Sequence, residues 1–202
     1  MMKVLGITGG VGSGKSTVLE YLRQAYGAYL IECDEVARDL QDPGEACYEP
    51  MIQLFGQQAV AADGSIDRGA VARLVFGDSD LRSKLNAIVH PAVKARVLPL
   101  IREHEDSPLI VVEAALLLDD GYDAVCDEIW YVYADEETRR ERLKSSRGYT
   151  DERITQMFRS QRPDESFRAL TSLTIDNSSQ NIENTFLQVD QALALRKIGK
   201  IS

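Results

Sequence analysis

The sequence predicts an α/β fold in which helices flank one parallel sheet of five strands. Five short, mostly apolar runs are spaced along the 202-residue chain, and segments with apolar residues at helical spacing separate them. Strands that alternate with helices form a parallel sheet with right-handed crossovers, and continuous apolar runs are typical of strands buried on both faces. The predicted strands are Val4–Thr8, Tyr29–Glu32, Leu109–Glu113, Ile129–Tyr133 and Leu173–Asp176.

A glycine-rich segment, Gly9–Thr17, follows the first predicted strand and precedes the first predicted helix. It fits the pattern G-x-x-x-x-G-K-[ST], which Lys15 and Ser16 close. Glycines tolerate positive φ and let backbone amides approach phosphate oxygens, and the helix N-terminus adds a partial positive charge. Lysine is a compact cation for the β- and γ-phosphates, and a serine hydroxyl is a ligand for Mg²⁺. We therefore predict a nucleoside triphosphate site, with Val11, Gly12, Ser13, Gly14, Lys15, Ser16 and Thr17 as binding residues.

An aspartate follows the second predicted strand. The first helix is expected to end near Gly27, and the strand Tyr29–Glu32 leads through Cys33 to Asp34. Parallel sheets bind ligands at the carboxyl ends of their strands, so we expect Asp34 near the phosphate loop. Two interpretations stay open, the N-cap of the next helix and a functional carboxylate, and one residue can fill both roles.

Residues 42–105 contain no strand pattern. Their apolar residues recur at helical spacing, and turn signals at Gly56, Gly64 and Gly77 divide them. A helical insertion of this length between two strands is either a substrate-binding subdomain or an elaborated crossover.

The third predicted strand ends in a carboxylate, Glu113. Nucleotide-binding sheets of this type hold an acidic residue at this position, where it contacts magnesium through water. Together with Ser16, Glu113 is therefore our predicted metal-binding group.

Positive charge is concentrated in residues 139–168, which contain nine basic and five acidic side chains in a chain of net charge −9. A helix that begins after Asp135 would place Arg140, Lys144 and Arg147 on one face. A solvated charged helix is one interpretation. A lid that closes over ATP is the other, and it is favoured because phosphoryl transfer needs cations and the exclusion of water. We predict that the lid arginine is Arg147 or, second, Arg140.

Length and composition indicate one folded domain over residues 1–202, which ends in a helix over about 180–197. No apolar run is long enough to span a membrane, and no signal peptide is evident. Three cysteines without a C-x-x-C pair favour a reducing cytoplasm. The acidic balance disfavours nucleic acid as a partner, and we expect a monomer or weak oligomer.

The ordered motifs resemble the dephospho-coenzyme A kinase family along nearly the whole chain. The phosphate loop by itself indicates a large superfamily, whereas the ordered set is more specific. The matching segments are Gly6–Thr17, Asp34–Arg38, Pro43-Gly44, Phe55-Gly56, Asp63–Arg68, Val75-Phe76, His90-Pro91, Arg142-Leu143, Arg153-Ile154, Gln161 and Ile175–Asn177.

This resemblance implies a P-loop nucleotide-kinase core with a coenzyme A-binding insertion over 42–105 and a lid over 139–168. It implies that Asp34 accepts the proton from the ribose 3′-hydroxyl of dephospho-CoA, and that Lys15 and a lid arginine stabilise the transferred phosphoryl group of ATP. By the same resemblance Ser16 holds Mg²⁺. The other implied contacts are Asn177 near the nucleotide base, and Arg68 and His90 at the acceptor, although a histidine before proline also has a structural interpretation.

The chain departs from the family pattern at several positions. The family's Pro-Leu-Leu-Phe-Glu is Ala115–Asp119 here, and its usual glutamine in the helix before the lid is Arg139. The stretch to the lid arginine is one residue longer than usual, and Thr171-Ser172 replaces Ala-Asp.

The predicted activity is transfer of a phosphoryl group from MgATP to dephospho-CoA. A nucleoside or nucleoside-monophosphate kinase is the alternative enzyme, and a panel of acceptors separates the two. A regulatory nucleotide switch is the alternative of another class, but the Asn-Lys-x-Asp motif of guanine-binding switches is absent from the sequence.

Overall fold

The computed structural model describes residues 3–114, 117–118 and 121–201. Its contacts divide the chain into two compact units. The first, here called the sheet unit, comprises the residues up to 31 together with those from 104 onward. The second, here called the helical unit, comprises residues 32–103.

The five predicted strands form one sheet, which confirms the fold class. The strands are β1 Val4–Thr8, β2 Tyr29–Glu32, β3 Ile110–Glu113, β4 Glu128–Tyr133 and β5 Leu173–Asp176. Their order across the sheet is β2-β3-β1-β4-β5, so the strand before the glycine-rich loop lies in the centre. The pairs β1–β3, β1–β4 and β4–β5 are parallel, and Ile7 lies opposite Glu113 and Trp130.

α-Helices connect the strands except between β3 and β4, where the described residues form one short 3-10 helix, Tyr122–Ala124. Gly27 and Gly148 terminate two of the helices in the left-handed backbone conformation, which glycine adopts readily because it has no Cβ. None of the helices described is long and apolar enough to cross a membrane. The α-helices are α1 Lys15–Tyr26, α2 Cys33–Asp39, α3 Tyr48–Phe55, α4 Arg68–Val75, α5 Ser79–Glu103, α6 Glu136–Arg147, α7 Asp151–Arg159, α8 Asp164–Leu170 and α9 Glu183–Leu195.

The core of the sheet unit lies between β1, β4 and the helices α1 and α9. Leu5, Trp130 and Leu22 are fully buried there with Val189 and Leu193 of α9. Burying side chains of this size contributes about 1.5–3 kcal/mol each. This packing fixes the end of β1 and the start of α1, which are the two anchors of the loop between them.

The helical unit is built around α5. The helices α2, α3 and α4 all pack against it, and Val93 and Val97 are buried in its middle. Among the residues described, the extended pairing in this unit is one isolated antiparallel bridge between Val60 and Ile66. The described residues of this unit are thus mainly helical, and residues 42–105 as a helical insertion that binds coenzyme A stay a prediction.

Candidate phosphate-binding site

The glycine-rich loop joins β1 to α1 in the sheet unit. It is closed by bonds from Ser13 N to Gly10 O (3.2 Å) and from Thr17 N to Gly14 O (3.1 Å). Helix α1 begins at Lys15 with no side-chain N-cap and no acidic residue in its first turn. The positive end of this helix is therefore not neutralised by its own side chains, which is the condition for binding an anion.

The two outer glycines of the motif are required by close contacts. A Cβ on Gly9 would lie 2.5 Å from the carbonyl oxygen of Val132 in β4. A Cβ on Gly14 would lie 2.2 Å from the amide nitrogen of Asn177, and Gly14 also has φ +84°. Both sites exclude a side chain, so the loop lies directly against the end of the sheet.

Lys15 points back across the loop. Its Nζ donates to Gly9 O at 2.9 Å and lies 3.6 Å from Oε1 of Glu113. Glu113 ends β3 and is 8% exposed, and its register partner in β1 is Ile7. The sheet therefore brings the predicted phosphate-binding lysine and the predicted metal-binding carboxylate together.

Two hydroxyl groups in and beside the loop are buried and have no hydrogen-bond partner among the described residues. They are Thr8 Oγ1, at the end of β1, and Ser13 Oγ, within the loop. A buried polar atom without a partner is unfavourable by about 1–3 kcal/mol. The loop thus carries polar groups that its own fold does not satisfy, which fits a site built for a polar ligand.

The residues at this site fit Mg²⁺ bound together with a phosphate chain. Ser16 is exposed at the first turn of α1, and Glu113 supplies a carboxylate beside Lys15. In residues 3–114, 117–118 and 121–201 no cluster of three histidine, cysteine or acidic side chains forms a complete cage. Mg²⁺ needs no such cage, because it keeps several waters and takes its other oxygens from one or two side chains and the phosphates.

Asn177 and Arg142 hold the second half of the loop. The Asn177 amide donates to Ser13 O at 2.8 Å, and its Oδ1 accepts from Thr185 at 2.9 Å. Arg142 of α6 donates to Ser13 O at 3.3 Å and to Asn177 O at 2.8 Å. Asn177 is buried, so the structure places it under the loop as a support, and its expected contact with the nucleotide base stays a prediction.

Arg139 and Gln161 hold the first half of the loop. Arg139 donates from Nε to Val11 O at 2.9 Å and from Nη2 to Gln161 Oε1 at 2.6 Å. In the sequence Arg139 departs from the family pattern and Gln161 matches it, but the pattern predicts a role for neither residue. The available signal was Leu143, the apolar residue of α6, because Arg139 lies one helical turn before it on the inward face.

The two predicted lid arginines lie elsewhere on α6. Arg140 donates to Glu136 at 2.8 Å and to Asp151 at 3.0 Å, and these two carboxylates raise its pKa. Arg147, the last residue of α6, lies 6.0 Å from the ring centre of Tyr149. The structure joins Arg140 to α7 and does not bring it to the loop with Lys15, so the catalytic role of Arg140 or Arg147 stays a prediction.

The predicted acceptor residues lie in the helical unit. Asp34 is exposed in the first turn of α2, and Arg68 at the start of α4 donates to Arg38 O of α2 at 3.2 Å. His90 is half-buried on α5, against which both helices pack. The departures at Ala115 and Asp119 lie outside the described residues.

A glycine-rich loop between the central strand and the first helix of a five-stranded parallel sheet defines the class of P-loop kinases. Solved structures share this fold. The structure of shikimate kinase from Acinetobacter baumannii has a TM-score of 0.54 at 14% identity over 98% of this chain and 95% of that one. TT1252 from Thermus thermophilus has a TM-score of 0.81 at 31% identity, over 96% of this chain and 97% of that one.

Sequence comparison then identifies the family. The family model for dephospho-CoA kinase matches residues 3–183 of this chain. The dephospho-CoA kinase of Symbiobacterium thermophilum is 38% identical over 95% of this chain and 80% of that protein. That of Carboxydothermus hydrogenoformans is 36% identical over 94% of this chain and 92% of that protein. The chain therefore belongs to the dephospho-CoA kinase family.

Proposed function

We propose that this chain transfers the γ-phosphoryl group of ATP to the ribose 3′-hydroxyl of dephospho-CoA, giving coenzyme A and ADP. This is the final step of coenzyme A synthesis. The observation that carries the proposal is the family match over residues 3–183 on a chain whose phosphate loop is complete. At the loop, Lys15 and the uncapped start of α1 lie together with Glu113, the buried carboxylate that ends β3.

The sheet unit supplies the groups for the donor. Phosphoryl transfer is catalysed mainly by positioning and by stabilising the charge that spreads over the transferred group. Lys15 is the cation at the loop, and its bond to Gly9 O is one that a phosphate oxygen would replace. A lid arginine, Arg147 or Arg140, would add a second cation to the closed site.

Ser16 and Glu113 would hold Mg²⁺ at this site. When bound, the ion neutralises charge on the β- and γ-phosphates. Ser16 contributes a neutral oxygen from the first turn of α1. Glu113 also keeps the Lys15 ammonium paired at 3.6 Å, which reduces the unfavourable free energy of holding that cation in a nearly buried place.

The helical unit supplies the groups for the acceptor. Asp34 would accept the proton of the 3′-hydroxyl as it attacks the γ-phosphorus, while Arg68 and His90 would position dephospho-CoA. Their helices pack on one another within this unit, and the Arg68–Arg38 bond fixes the start of α4 to α2. An exposed carboxylate is accessible to a substrate hydroxyl without rearrangement of its own helix.

The remaining proposals concern the surroundings. Asn177, directly after β5, would lie near the nucleotide base while its side chain stays bonded to Ser13 and Thr185. The proposed partners are the small molecules ATP and dephospho-CoA, and we propose no nucleic-acid or membrane partner. The protein is proposed to be a monomer or weak oligomer in the cytoplasm.

The deciding experiment is a product assay. Purified protein, MgATP and dephospho-CoA should yield ADP and coenzyme A in equal amounts, with no ADP formed when the acceptor is omitted. AMP, adenosine and shikimate serve as competing acceptors and should give rates at least a hundredfold lower. Turnover with one of these and none with dephospho-CoA would overturn the proposal, and tight ATP binding without any turnover would favour a nucleotide switch.

A further inference from the structure

Both backbone groups of Val11, in the first half of the phosphate loop, are held by side chains from outside the loop. Its N–H donates to Gln161 Oε1 at 3.3 Å, and its carbonyl oxygen accepts from Arg139 Nε at 2.9 Å. Arg139 and Gln161 are joined by a third bond of 2.6 Å. The three residues form a closed ring of hydrogen bonds, here called the Val11 ring.

The neighbouring glycine makes room for this ring. A Cβ on Gly10 would lie 2.6 Å from Arg139 Nη2 and 3.0 Å from Gln161 Oε1. The guanidinium group therefore occupies the space that a side chain at position 10 would need. The loop and α6 are fitted to each other at this point.

Arg139 is buried deeply for a charged residue, with 7% of its surface exposed. Its guanidinium lies 4.3 Å from the centre of the Phe158 ring in α7 and 3.8 Å from Asp164 Oδ1 at the start of α8. A charge buried to this extent is tolerated only with several partners. The partners come from the loop, from the residues after α7 and from α8, so one side chain connects all three.

Asp164 is itself fixed to the sheet. The Tyr131 hydroxyl of β4 donates to Asp164 Oδ1 at 2.6 Å, and burial raises the pKa of Tyr131, so that the group remains a donor. The Phe167 ring of α8 stacks on Tyr131 at 4.7 Å. The acidic partner of Arg139 is thus held from two directions, which leaves the guanidinium little freedom to turn away from the loop.

We propose that Arg139 is a positioning residue for ATP binding, which fixes the peptide groups on both sides of Val11 through the Val11 ring and couples the loop to α7 and α8. The loop binds phosphate through backbone amides, and amides bind well only when their directions are set before the ligand arrives. Arg139 does not contact the phosphates in this role. It acts through Val11 O and Gln161.

The alternative is that Arg139 acts by its charge alone, as a cation buried near a polyphosphate. The two roles respond differently to substitution. Lysine keeps the charge but cannot donate from two fixed nitrogens to two acceptors, whereas glutamine loses the charge and keeps one planar amide donor. Comparing R139K with R139Q therefore separates geometry from charge.

The test is the equilibrium affinity for MgATP, measured by calorimetry on R139M, R139Q, R139K and the wild type. Loss of the charged hydrogen bonds should raise the Kd of R139M about tenfold or more, with R139Q nearer the wild type than R139K. R23M, which removes an exposed arginine in the last turn of α1 and outside the predicted lid, is the control with the same change of charge and should bind within twofold of the wild type. Thermal unfolding of each variant confirms that it is folded.

Gln161 gives an independent check. If R139M and Q161A both act through Val11, the double variant should lose much less affinity than the product of the two single losses. For turnover, which rests on the proposed function, the KM for ATP should rise while the KM for dephospho-CoA stays within twofold.

The inference is overturned by an R139M variant that is folded and binds ATP within twofold of the wild type. It is equally overturned if R139K binds like the wild type while R139Q does not, since charge would then be the cause. The third contrary outcome is a double variant whose loss of ATP affinity equals the product of the losses in R139M and Q161A. Because the affinity measurement needs no acceptor, these outcomes are independent of whether dephospho-CoA is phosphorylated.

Discussion

The phosphate loop and the predicted acceptor residues differ in how firmly the surrounding structure holds them. In the loop, backbone groups of Val11 and Ser13 are held by side chains from α6 and by Gln161 and Asn177. In the helical unit, Asp34 and Arg68 are exposed. One part of the proposed machinery is fixed before any ligand binds, and the other is presented on the surface of helices.

This difference follows from what each part has to bind. A polyphosphate is bound by many backbone amides, whose directions must be set by the fold because they have no rotamers of their own. An acceptor hydroxyl needs one base at the right distance, and that base can be a side chain on an accessible helix turn. We expect substitutions in the loop to change nucleotide affinity and substitutions at Asp34 to change the rate alone.

The largest effect is expected for D34N. Loss of the base should lower kcat by about a thousandfold, and the MgATP Kd should stay within twofold of the wild type because the loop is untouched. Steady-state kinetics and calorimetry measure the two quantities. D39N, at the exposed end of the same helix, is the matched control, and full activity of D34N would exclude the role of base.

The next largest effect is expected for K15A. Removal of one charged donor to the transferred group should lower kcat/KM by roughly several hundredfold. Unlike D34N, K15A should also bind ATP more weakly. Glu113 would also lose the ammonium group that lies 3.6 Å away. K84A, an exposed lysine on α5, controls for the charge change; unaltered ATP affinity in K15A would show that the loop does not depend on this cation.

The strands were predictable because their signals are local. The bounds of β1, β2 and β5 agree with the prediction, while β3 begins one residue later and β4 one residue earlier. The last helix is Glu183–Leu195, and it begins later than predicted because Asp176, Ser179 and Asn181 form side-chain bonds that organise a turn before it. Such bonds compete with helix formation at short polar residues.

The site was predictable in its motif and much less so in its supports. The spacing of Gly9–Thr17 identifies the loop, since the pattern includes the residues that form it. The face of α6 that contacts the loop depends on how the helix is rotated against it, which charge spacing does not determine. Charge spacing therefore points to Arg140 and Arg147, whereas the structure brings Arg139 and Arg142 to the loop.

G14A and G44A compare the two units directly. Both glycines have positive φ, +84° and +91°, but a Cβ would meet Asn177 at 2.2 Å in the first case and open space in the second. The backbone conformation alone should lower the free energy of unfolding by about 1–2 kcal/mol in each. In G14A the collision should increase the loss in the free energy of unfolding to about 3 kcal/mol in total, which urea unfolding measures. It should also weaken ATP binding, which calorimetry measures. Equal effects in the two variants would mean that Asn177 yields to the methyl group.

The smallest effect concerns ion pairs of the same kind in the two units. Arg196 of α9 donates to Glu128 of β4 at 2.7 Å, with side chains 21% and 24% exposed, whereas the Arg96–Glu45 pair of the helical unit is 47% and 40% exposed. The bond from Arg196 lowers the pKa of Glu128 below its usual 4.5. A depressed pKa means that the stabilisation is present above about pH 4.5 and is lost as the pH falls through the pKa of the folded state.

E128Q should therefore be less stable than the wild type by about 1 kcal/mol at pH 7, and E45Q by a few tenths. In urea unfolding, the difference between E128Q and the wild type should shrink as the pH is lowered below 4.5. A difference that stays constant with pH would show that Glu128 stabilises the sheet unit through packing. Equal losses in E128Q and E45Q at pH 7 would show that burial does not distinguish the two pairs.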